Sequence, residues 1–277
     1  MQPSHLYIHI PFCAVRCAYC DFYSTAEGTG KAAAYVETLL AELESLDLGH
    51  ESIDTVYLGG GTPTFIGAAL LERIMTALAG SLRLGAEVTI EANPSTVTHE
   101  LAERLGRIGI NRVSLGVQSF DPRLRRNLGR TGETAAIFRA MEFLRGSGFE
   151  NVGIDLIFTI PGQRAGDLES DIRQALSLKP DHISWYELSV EDGSTYAHKW
   201  ARKLEHARAY GPAFYRTVTG ALAQAGYRWY DTSNLAIPGL DCPPPPPPPP
   251  GPPRPPPRAA PPPPPPPPTP PPPPPPP

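Results

Sequence analysis

The sequence predicts an α/β fold in which six strand–helix units form a partial (β/α)6 barrel. Short β-branched or aromatic segments alternate with longer amphipathic segments at roughly regular spacing. This strict alternation is typical of parallel strands joined by right-handed crossovers. Residues 1–242 are enough for one such domain with a single large core. The region after residue 242 is expected to be truncated or corrupted.

Six segments have the composition of strands, namely His5–Ile10, Thr55–Leu58, Glu87–Ala92, Arg112–Val117, Asn151–Phe158 and His182–Leu188. The run Val152–Phe158 is nearly continuous in apolar residues, which is expected when both faces of a parallel sheet are covered. In such a barrel the chemistry lies at the carboxyl ends of the strands. Residues that come directly after a strand are therefore the candidates for function.

The segments between the strands have the period of helices. In Lys31–Leu46, apolar residues recur with i, i+3, i+4, i+7 spacing, and the stripe consists of Val36, Leu39, Leu40, Leu43 and Leu46. A last helix is predicted at about Leu204–Ala225, and a weak strand comes after it at Arg228–Tyr230. We expect a C-terminal region to begin after the barrel, at this helix and strand.

Charge and cysteine usage restrict the class of protein. Residues 1–242 carry 22 Lys and Arg against 28 Asp and Glu, without a basic stripe, so nucleic acid is not expected as a partner. The start has no signal-peptide pattern and no apolar run approaches ~18 residues, so we expect a cytoplasmic protein without an integral membrane segment. Three of the four cysteines lie within eight residues, which indicates metal binding more than disulfides.

The tail, residues 243–277, has 29 prolines among 35 residues. It forms a separate low-complexity segment, because proline has no amide hydrogen and the tail has no apolar pattern. One interpretation is a disordered or polyproline II ligand for proline-binding modules. The other is a sequence artefact, a misread of a C-rich coding strand, since all CCN codons give proline and the change is abrupt.

A CxxxCxxC motif comes directly after the first predicted strand, in the order Cys13, Cys17, Cys20. Three thiolates on one loop can bind three corners of a [4Fe–4S] cluster and leave the fourth iron open. A structural zinc site is the alternative, but it needs four ligands and the chain has no second CxxC downstream. Asp21 and His9 are poorly spaced to complete it, and His9 is assigned no role. Incidental burial as small apolar residues is a third interpretation.

Further candidates lie at the ends of the next strands. The run Gly59–Thr64 contains three glycines, which allow close approach of the backbone to a ligand, although such a run also occurs in simple turns. Glu91 ends the third strand, and the alternative for it is a solvated surface carboxylate. Gln118 comes after the fourth strand and can both donate and accept hydrogen bonds. Arg130 lies one helix later, and its planar guanidinium group suits a carboxylate. The alternative for Arg130 is a surface cation at a helix end.

The fifth strand carries Asp155 among apolar residues. Burying an unpaired carboxylate is costly, so this side chain needs hydrogen-bond donors. A bound ligand or a structural salt bridge would satisfy that need equally. Arg123, Arg125 and Arg126 are interpreted as surface residues.

The segment IHIPFCAVRCAYCDF resembles the signature of radical S-adenosylmethionine (SAM) proteins, in the branch of oxygen-independent coproporphyrinogen III oxidases and heme chaperones. The resemblance implies that SAM chelates the open iron and is split to a 5′-deoxyadenosyl radical. It further implies that GGGTP holds the methionine amino group and that Asp155 binds ribose hydroxyls. The implied SAM-binding residues are Tyr7, Tyr19, Gly60, Gly61, Thr62, Glu91, Gln118, Arg130, Asp155 and Ser189. No residue is assigned as catalytic.

The residues next to the third cysteine indicate the branch. The decarboxylating oxidases have a fourth cysteine where this chain has Phe22, and the CDF ending with a short N-terminus resembles the heme chaperones. That resemblance implies heme or a porphyrin as ligand, heme-acceptor proteins and an electron donor as partners, and a possible homodimer. The heme-linked HNxxY-type segment of that branch is replaced by proline after Cys242, so the chain as written is expected to lack heme transfer. The decarboxylase of porphyrin biosynthesis and a zinc-stabilised barrel remain the alternatives.

Overall fold

A computed structural model describes residues 4–26, 28, 30–190 and 194–241 of the chain. The predictions about Cys242 and about the tail at 243–277 lie outside the described residues. The described part therefore comprises the predicted barrel and the short segment directly after it.

Six parallel strands form the main part of one sheet, and they lie side by side in chain order. They are β1 (His5–Ile10), β2 (Ile53–Gly60), β3 (Leu82–Ala92), β4 (Arg112–Gln118), β5 (Asn151–Phe158) and β6 (His182–Glu187). All six predicted strands are confirmed, with differences only at their ends. β1 lies at one edge of the sheet, so the sheet is open and the prediction of a partial barrel is confirmed.

Two short antiparallel strands extend the sheet beyond β6. They are β7 (Arg228–Asp231) and β8 (Asn234–Ala236), and the strand order at this edge is β6-β8-β7. The sequence predicted β7 but not β8, because a strand of three residues is too short for its alternation to be seen. This hairpin covers the edge of β6 with its own backbone hydrogen bonds.

Helices connect the strands, and they are α1 (Gly30–Ser45), α2 (Ala68–Leu78), α3 (His99–Arg107), α4 (Pro122–Asn127), α5 (Ala135–Gly146), α6 (Ala165–Ser177), α7 (Thr195–Ala209) and α8 (Gly211–Gln224). The predicted stripe on α1 is buried at Val36 and Leu43, whereas Leu46 lies beyond the helix end and is exposed. The prediction of one helix at Leu204–Ala225 is wrong. Two helices meet at Tyr210 and Gly211, and Pro212 lies in the first turn of α8, where its missing N–H costs nothing.

The two faces of the parallel sheet differ in polarity. One face packs against the helices through fully buried residues such as Val113 and Leu115 of β4 and Ile154 and Leu156 of β5. Alternate residues point to the other face, which we call the lumenal face. Its members include Tyr57, Thr89, Glu91, Arg112, Ser114, Asp155, His182 and Ser184. Asp155 is the residue that interrupts the nearly continuous apolar run Val152–Phe158, and it lies on the lumenal face.

No helix among the described residues is long and apolar enough to cross a membrane.

Candidate functional site

The loop after β1 carries three free cysteines that are neither fully buried nor fully exposed, Cys13, Cys17 and Cys20. Backbone hydrogen bonds hold this loop at both ends. The Cys13 N–H donates to the Thr25 carbonyl at 2.9 Å, and the Ala18 N–H donates to the Leu128 carbonyl at 3.2 Å. The loop is therefore fixed to the segment that comes after α4, on the neighbouring side of the barrel.

Two arginines lie close to these thiols. Burial raises the pKa of the Cys17 thiol, and the positive charges of Arg130 and Arg125 oppose that rise. Arg130 is also within hydrogen-bonding range of the Tyr19 hydroxyl, whose pKa burial raises. Cationic neighbours favour the thiolate form, which is the form that binds metal. The effect of burial on the Cys17 pKa is the larger one, so the two arginines reduce the rise without reversing it.

Within the described residues, no three His, Cys, Asp or Glu side chains converge on one point as ligands of a single metal ion. In a cubane each thiolate binds a different iron, so the ligands of a cluster are spaced more widely than the ligands of one ion. The donor set is three thiolates of one loop, which is the chemistry that iron–sulfur clusters use.

The glycine run after β2 lies directly against the cysteine loop. The Gly61 N–H donates to the Ile10 carbonyl at 2.9 Å, and the Thr62 N–H donates to the Phe12 carbonyl at 2.8 Å. A Cβ on Gly61 would lie 2.8 Å from the Phe12 carbonyl oxygen, so only glycine fits there. The Thr62 hydroxyl lies 3.6 Å from the Cys13 sulfur. This close approach leaves backbone groups and a hydroxyl beside the cysteines.

Glu91 ends β3 on the lumenal face and accepts two hydrogen bonds. The Tyr57 hydroxyl donates to it at 2.9 Å, and the Gly60 N–H donates at 3.2 Å. Burial and, to a smaller extent, the nearby Asp155 charge raise the pKa of Glu91 to about 7, against the two hydrogen bonds. The alternative of a solvated surface carboxylate is therefore wrong. Glu91 connects the glycine run to the centre of the sheet.

Asp155 lies on β5 and receives its hydrogen bonds from two serines. The Ser114 hydroxyl on β4 donates at 3.0 Å, and Ser184 on β6 is the second partner. Burial raises the pKa of Asp155 to about 6, while the serines and Arg130 lower it. The anticipated donors are thus hydroxyls of the neighbouring strands, and no salt bridge to Asp155 is found among the described residues. Its carboxylate can still accept hydrogen bonds from a ligand in the lumen.

Gln118 and Arg130 meet at the end of β4. Gln118 has a φ of 69°, in the left-handed region that a non-glycine residue rarely adopts, and the pairing of β4 with β5 shifts there. Arg130 donates to the Gly116 carbonyl at 2.5 Å, while its buried Nε has no partner in the described part of the chain. Such strain and such an unpaired donor occur often at binding sites.

Two buried charges that the sequence interpretation missed hold this turn in place. Asp171 on α6 accepts from the Ser119 hydroxyl and from the Phe120 N–H, both at 2.8 Å. Arg125 on α4 donates to the carbonyls of Val117 at 2.7 Å and Ser119 at 3.3 Å. We call Asp171 and Arg125 the turn clamp. The prediction that Arg125 is a surface residue is wrong, because it is 3% exposed.

The remaining predicted residues lie around the same end of the sheet. Tyr7 on β1 stacks on Tyr57 with ring centroids 5.9 Å apart. Ser189 is exposed in the segment after β6. Arg123 pairs with Asp167 at 2.7 Å, and Arg126 is exposed, as expected for surface residues. The predicted site residues thus lie on the lumenal face of the sheet or in the segments that follow β1, β2, β4 and β6.

His9, to which the sequence assigned no role, lies between the glycine run and the cysteine loop. Its Nε2 is 2.9 Å from the Tyr23 carbonyl oxygen, and its Nδ1 is 3.3 Å from the Tyr7 hydroxyl. A Cβ on Gly60 would lie 2.7 Å from the His9 ring. The His9 ring packs directly against the backbone of Gly60, so a side chain at that position would clash with the ring. Gly60 is therefore the second glycine of the run that a close contact requires.

Comparison with known proteins identifies the family. A model described as the Radical SAM superfamily matches residues 7–175. The chain belongs to the radical SAM superfamily. A [4Fe–4S] cluster and SAM are accordingly its cofactors, and the free thiols, the glycine cradle and the unpaired Arg130 Nε fit them.

Curated relatives in this superfamily are similar over most of the described chain. "Heme chaperone HemW" from Lactococcus lactis subsp. lactis (strain IL1403) is 37% identical over 244 residues, with 87% of this chain and 64% of the relative covered. The protein of the same name from Escherichia coli (strain K12) is 35% identical over 248 residues, with 87% and 65% covered. The chain thus spans less than two thirds of the length of these relatives.

A solved radical SAM structure is also similar. It is coproporphyrinogen III oxidase (HemN) from Escherichia coli, described as a radical SAM enzyme, with 26% identity and a TM-score of 0.71. The match covers 86% of this chain and 56% of that protein. The similarity confirms the open α/β barrel and keeps the decarboxylase among the functions to be tested.

Proposed function

We propose that this chain is the radical SAM portion of a heme chaperone. Its relatives of that name are 35–37% identical over most of the chain. The observation that carries the proposal is that the glycine run contacts both the cysteine loop and Glu91. Thr62 contacts Cys13, and Gly60 donates a hydrogen bond to Glu91. Residues 1–242 would form the barrel and the start of a C-terminal region.

In this proposal Cys13, Cys17 and Cys20 would hold the cluster, which when bound would supply the one-electron chemistry that radical SAM proteins use. The residues around it hold SAM in place. Glu91 and the glycine run would hold the amino group, because the Glu91 carboxylate lies 3.2 Å from the Gly60 backbone nitrogen. Arg130 would bind the carboxylate, since a guanidinium matches its geometry.

The adenosine end of SAM would lie along the lumenal face. Asp155 is the acceptor for ribose hydroxyls, because its serine partners occupy only part of its capacity for hydrogen bonds. Gln118 can donate and accept beside it, while Tyr7, Tyr19 and Ser189 line the approach. The lumenal carboxylates exclude an apolar occupant and favour a polar nucleoside.

The heme part of the proposal comes from the names of the relatives. Heme would be the cargo, heme-acceptor proteins its recipients, and a separate protein the electron donor, with dimer formation as a further expectation. Three free thiols on one loop are compatible with a reducing compartment, so we place the protein in the cytoplasm.

Two measurements test the proposal in separate steps. Anaerobically purified protein should contain iron and sulfide in equal amounts, and Cys17→Ala should lose both, whereas equimolar zinc would support the zinc-stabilised barrel. Titration with hemin should give a Soret band in the same chain completed to the length of its relatives. Absence of that band at one equivalent of hemin in the completed protein would rule out the chaperone function.

The second candidate is the oxidative decarboxylation of coproporphyrinogen III, which the structural similarity to HemN favours. Anaerobic incubation with SAM, a reductant and coproporphyrinogen would release carbon dioxide and form vinyl groups. The presence of Phe22, where decarboxylases of this kind carry a fourth cysteine, argues against it. SAM cleavage without porphyrin turnover would exclude this candidate.

A further inference from the structure

The helix α7 has an unusual charge for this protein. The whole chain has a net charge of −4, yet α7 exposes four lysines and arginines, two histidines and a single acid. They are Lys199, Arg202, Lys203, Arg208, His198, His206 and Glu205. No ion pair involves these lysines and arginines among the described residues. We call this surface the basic face of α7.

The opposite side of α7 packs on the cysteine loop. Tyr196, Leu204 and Trp200 join a small apolar cluster with Leu128 and with Tyr19, which lies between Cys17 and Cys20. Tyr19 and Tyr196 thus belong to the same apolar cluster, which joins α7 to the cysteine loop. One helix diameter, about 10 Å, therefore separates the basic face of α7 from the cysteine loop.

Two of the cations are held in place by an aromatic ring. The Nζ atoms of Lys199 and Lys203 lie 5.3 Å and 5.0 Å from the centre of the Trp200 ring. Cation–π contacts of this kind orient a lysine without neutralising it. The positive charge thus remains available to a partner in solution.

We propose that the basic face of α7 is the docking surface for an acidic one-electron carrier protein that reduces the cluster. The proposal rests on the proposed function, because it needs a cluster on the cysteine loop. In the step, the reduced carrier loses one electron and the oxidised cluster gains it, with no bond formed or broken. Opposite charges steer such encounters and bring the carrier to the side nearest the cluster.

Other occupants fit this surface less well. A membrane-surface helix must offer an apolar face to lipid, but the apolar side of α7 is buried against Leu128 and its neighbours. Nucleic acid binding needs an extended basic surface, whereas residues 1–242 carry an excess of acids. A compact acidic protein matches a positive patch of a single helix.

The test compares two routes of reduction in the protein with its cluster. Dithionite is a small reductant that needs no docking surface, and a purified acidic flavodoxin is the protein probe. Stopped-flow loss of the cluster absorbance gives the rate for each. The triple variant Lys199→Glu, Arg202→Glu, Lys203→Glu should lower the flavodoxin rate at least tenfold and leave the dithionite rate unchanged.

A matched control carries the same change in charge elsewhere. Arg107, Arg173 and Arg216 are exposed on α3, α6 and α8, and Arg107→Glu, Arg173→Glu, Arg216→Glu should retain most of the flavodoxin rate. An unchanged flavodoxin rate in the α7 variant, or an equal loss in the control, would overturn the proposal. If the α7 variant loses its cluster, the rate at which flavodoxin reduces the wild-type protein is measured at increasing salt concentration instead. This rate should fall as salt is added, and a rate that does not depend on salt would overturn the proposal.

Binding provides a readout that is independent of the cluster chemistry. Calorimetric titration with oxidised flavodoxin should give an affinity that weakens at least tenfold in the α7 variant but not in the control. Preferential binding of the basic face to anionic vesicles or to DNA, with none to flavodoxin, would overturn the proposal. A protein without iron would refute the proposed function and, with it, the reduction of a cluster, whereas loss of flavodoxin binding with iron present would overturn the docking surface alone.

Discussion

The two faces of the parallel sheet differ in what their residues contribute. The helix-covered face is uniformly apolar and its residues are buried, as in β4, where Val113, Leu115 and Val117 are fully inaccessible. The lumenal face of the same strand carries Arg112, Ser114, Gly116 and Gln118. A single strand therefore stabilises the fold with one set of residues and builds the site with the alternate set.

The residues that stabilise the fold and the residues that form the candidate site therefore lie on opposite faces of the same strands. Apolar burial stabilises by about 25 cal/mol per Å² removed from water, and it depends little on what the lumen contains. The lumenal carboxylates oppose folding, because burial raises the pKa of Glu91 to about 7 and of Asp155 to about 6. Four substitutions test how cleanly the two roles are separated.

The largest effect is expected on the apolar face. Leu115→Ala removes a fully buried side chain and leaves a cavity, so the free energy of unfolding should fall by about 3 kcal/mol. SAM affinity of the folded fraction should be unchanged. Urea unfolding and equilibrium SAM binding measure the two quantities, and a large loss of SAM affinity at low denaturant would show that the faces are not independent.

At the rim, Gly61→Ala should perturb both stability and metal binding. Its Cβ would lie 2.8 Å from the backbone of the cysteine loop, so the free energy of unfolding should fall by about 2 kcal/mol and iron content should decrease. Gly106→Ala on α3 is the control, because its Cβ has space and alanine favours a helix. Equal iron content in both variants would contradict the close contact of the two loops.

On the lumenal face, Glu91→Gln should weaken SAM binding about tenfold to a hundredfold while changing the free energy of unfolding by under about 1 kcal/mol. The neutral amide removes the charge that burial already disfavours. Glu100→Gln, at an exposed position of α3, is the control. A destabilised protein with normal SAM affinity would reverse the assignment of Glu91.

The last effect concerns the turn clamp and depends on pH. Burial raises the pKa of Asp171 from 3.8 to about 6 in the folded chain, so the folded chain binds this proton more tightly than the unfolded chain. The stabilisation from this group is complete below about pH 4 and is lost as the pH rises through 6. Asp171→Asn should make the decline in unfolding free energy from pH 4 to pH 7 shallower by about 2 kcal/mol. Parallel curves for the two proteins would contradict this role.

The strand order and the place of the site were predictable because both depend on local pattern. Alternating segments predict parallel strands, and the carboxyl ends of parallel strands meet at one edge. The cysteine motif and the glycine run could be recognised from spacing alone. The break between α7 and α8 was missed because a tyrosine and a glycine interrupt an otherwise continuous helical period.

The turn clamp and the donors to Asp155 could not be predicted. Asp171 and Ser119 are 52 residues apart in the chain, and Ser114 and Asp155 are 41 apart. A sequence pattern reports neighbours within a few turns of a helix or along one strand. Which buried charge pairs with which distant hydroxyl depends on the packing of α6 and β5 against β4.

The sequence by itself determined the α/β alternation, the cysteine motif and the set of polar residues at the strand ends, because these depend on residue type and short spacing. The tertiary structure decided that Glu91 joins the glycine run to Tyr57 and that Arg125 is buried beneath the site. It also decided that the basic face of α7 lies behind the cysteine loop. Most of these contacts join segments that are distant in the chain, and the packing of the helices on the open sheet brings them together.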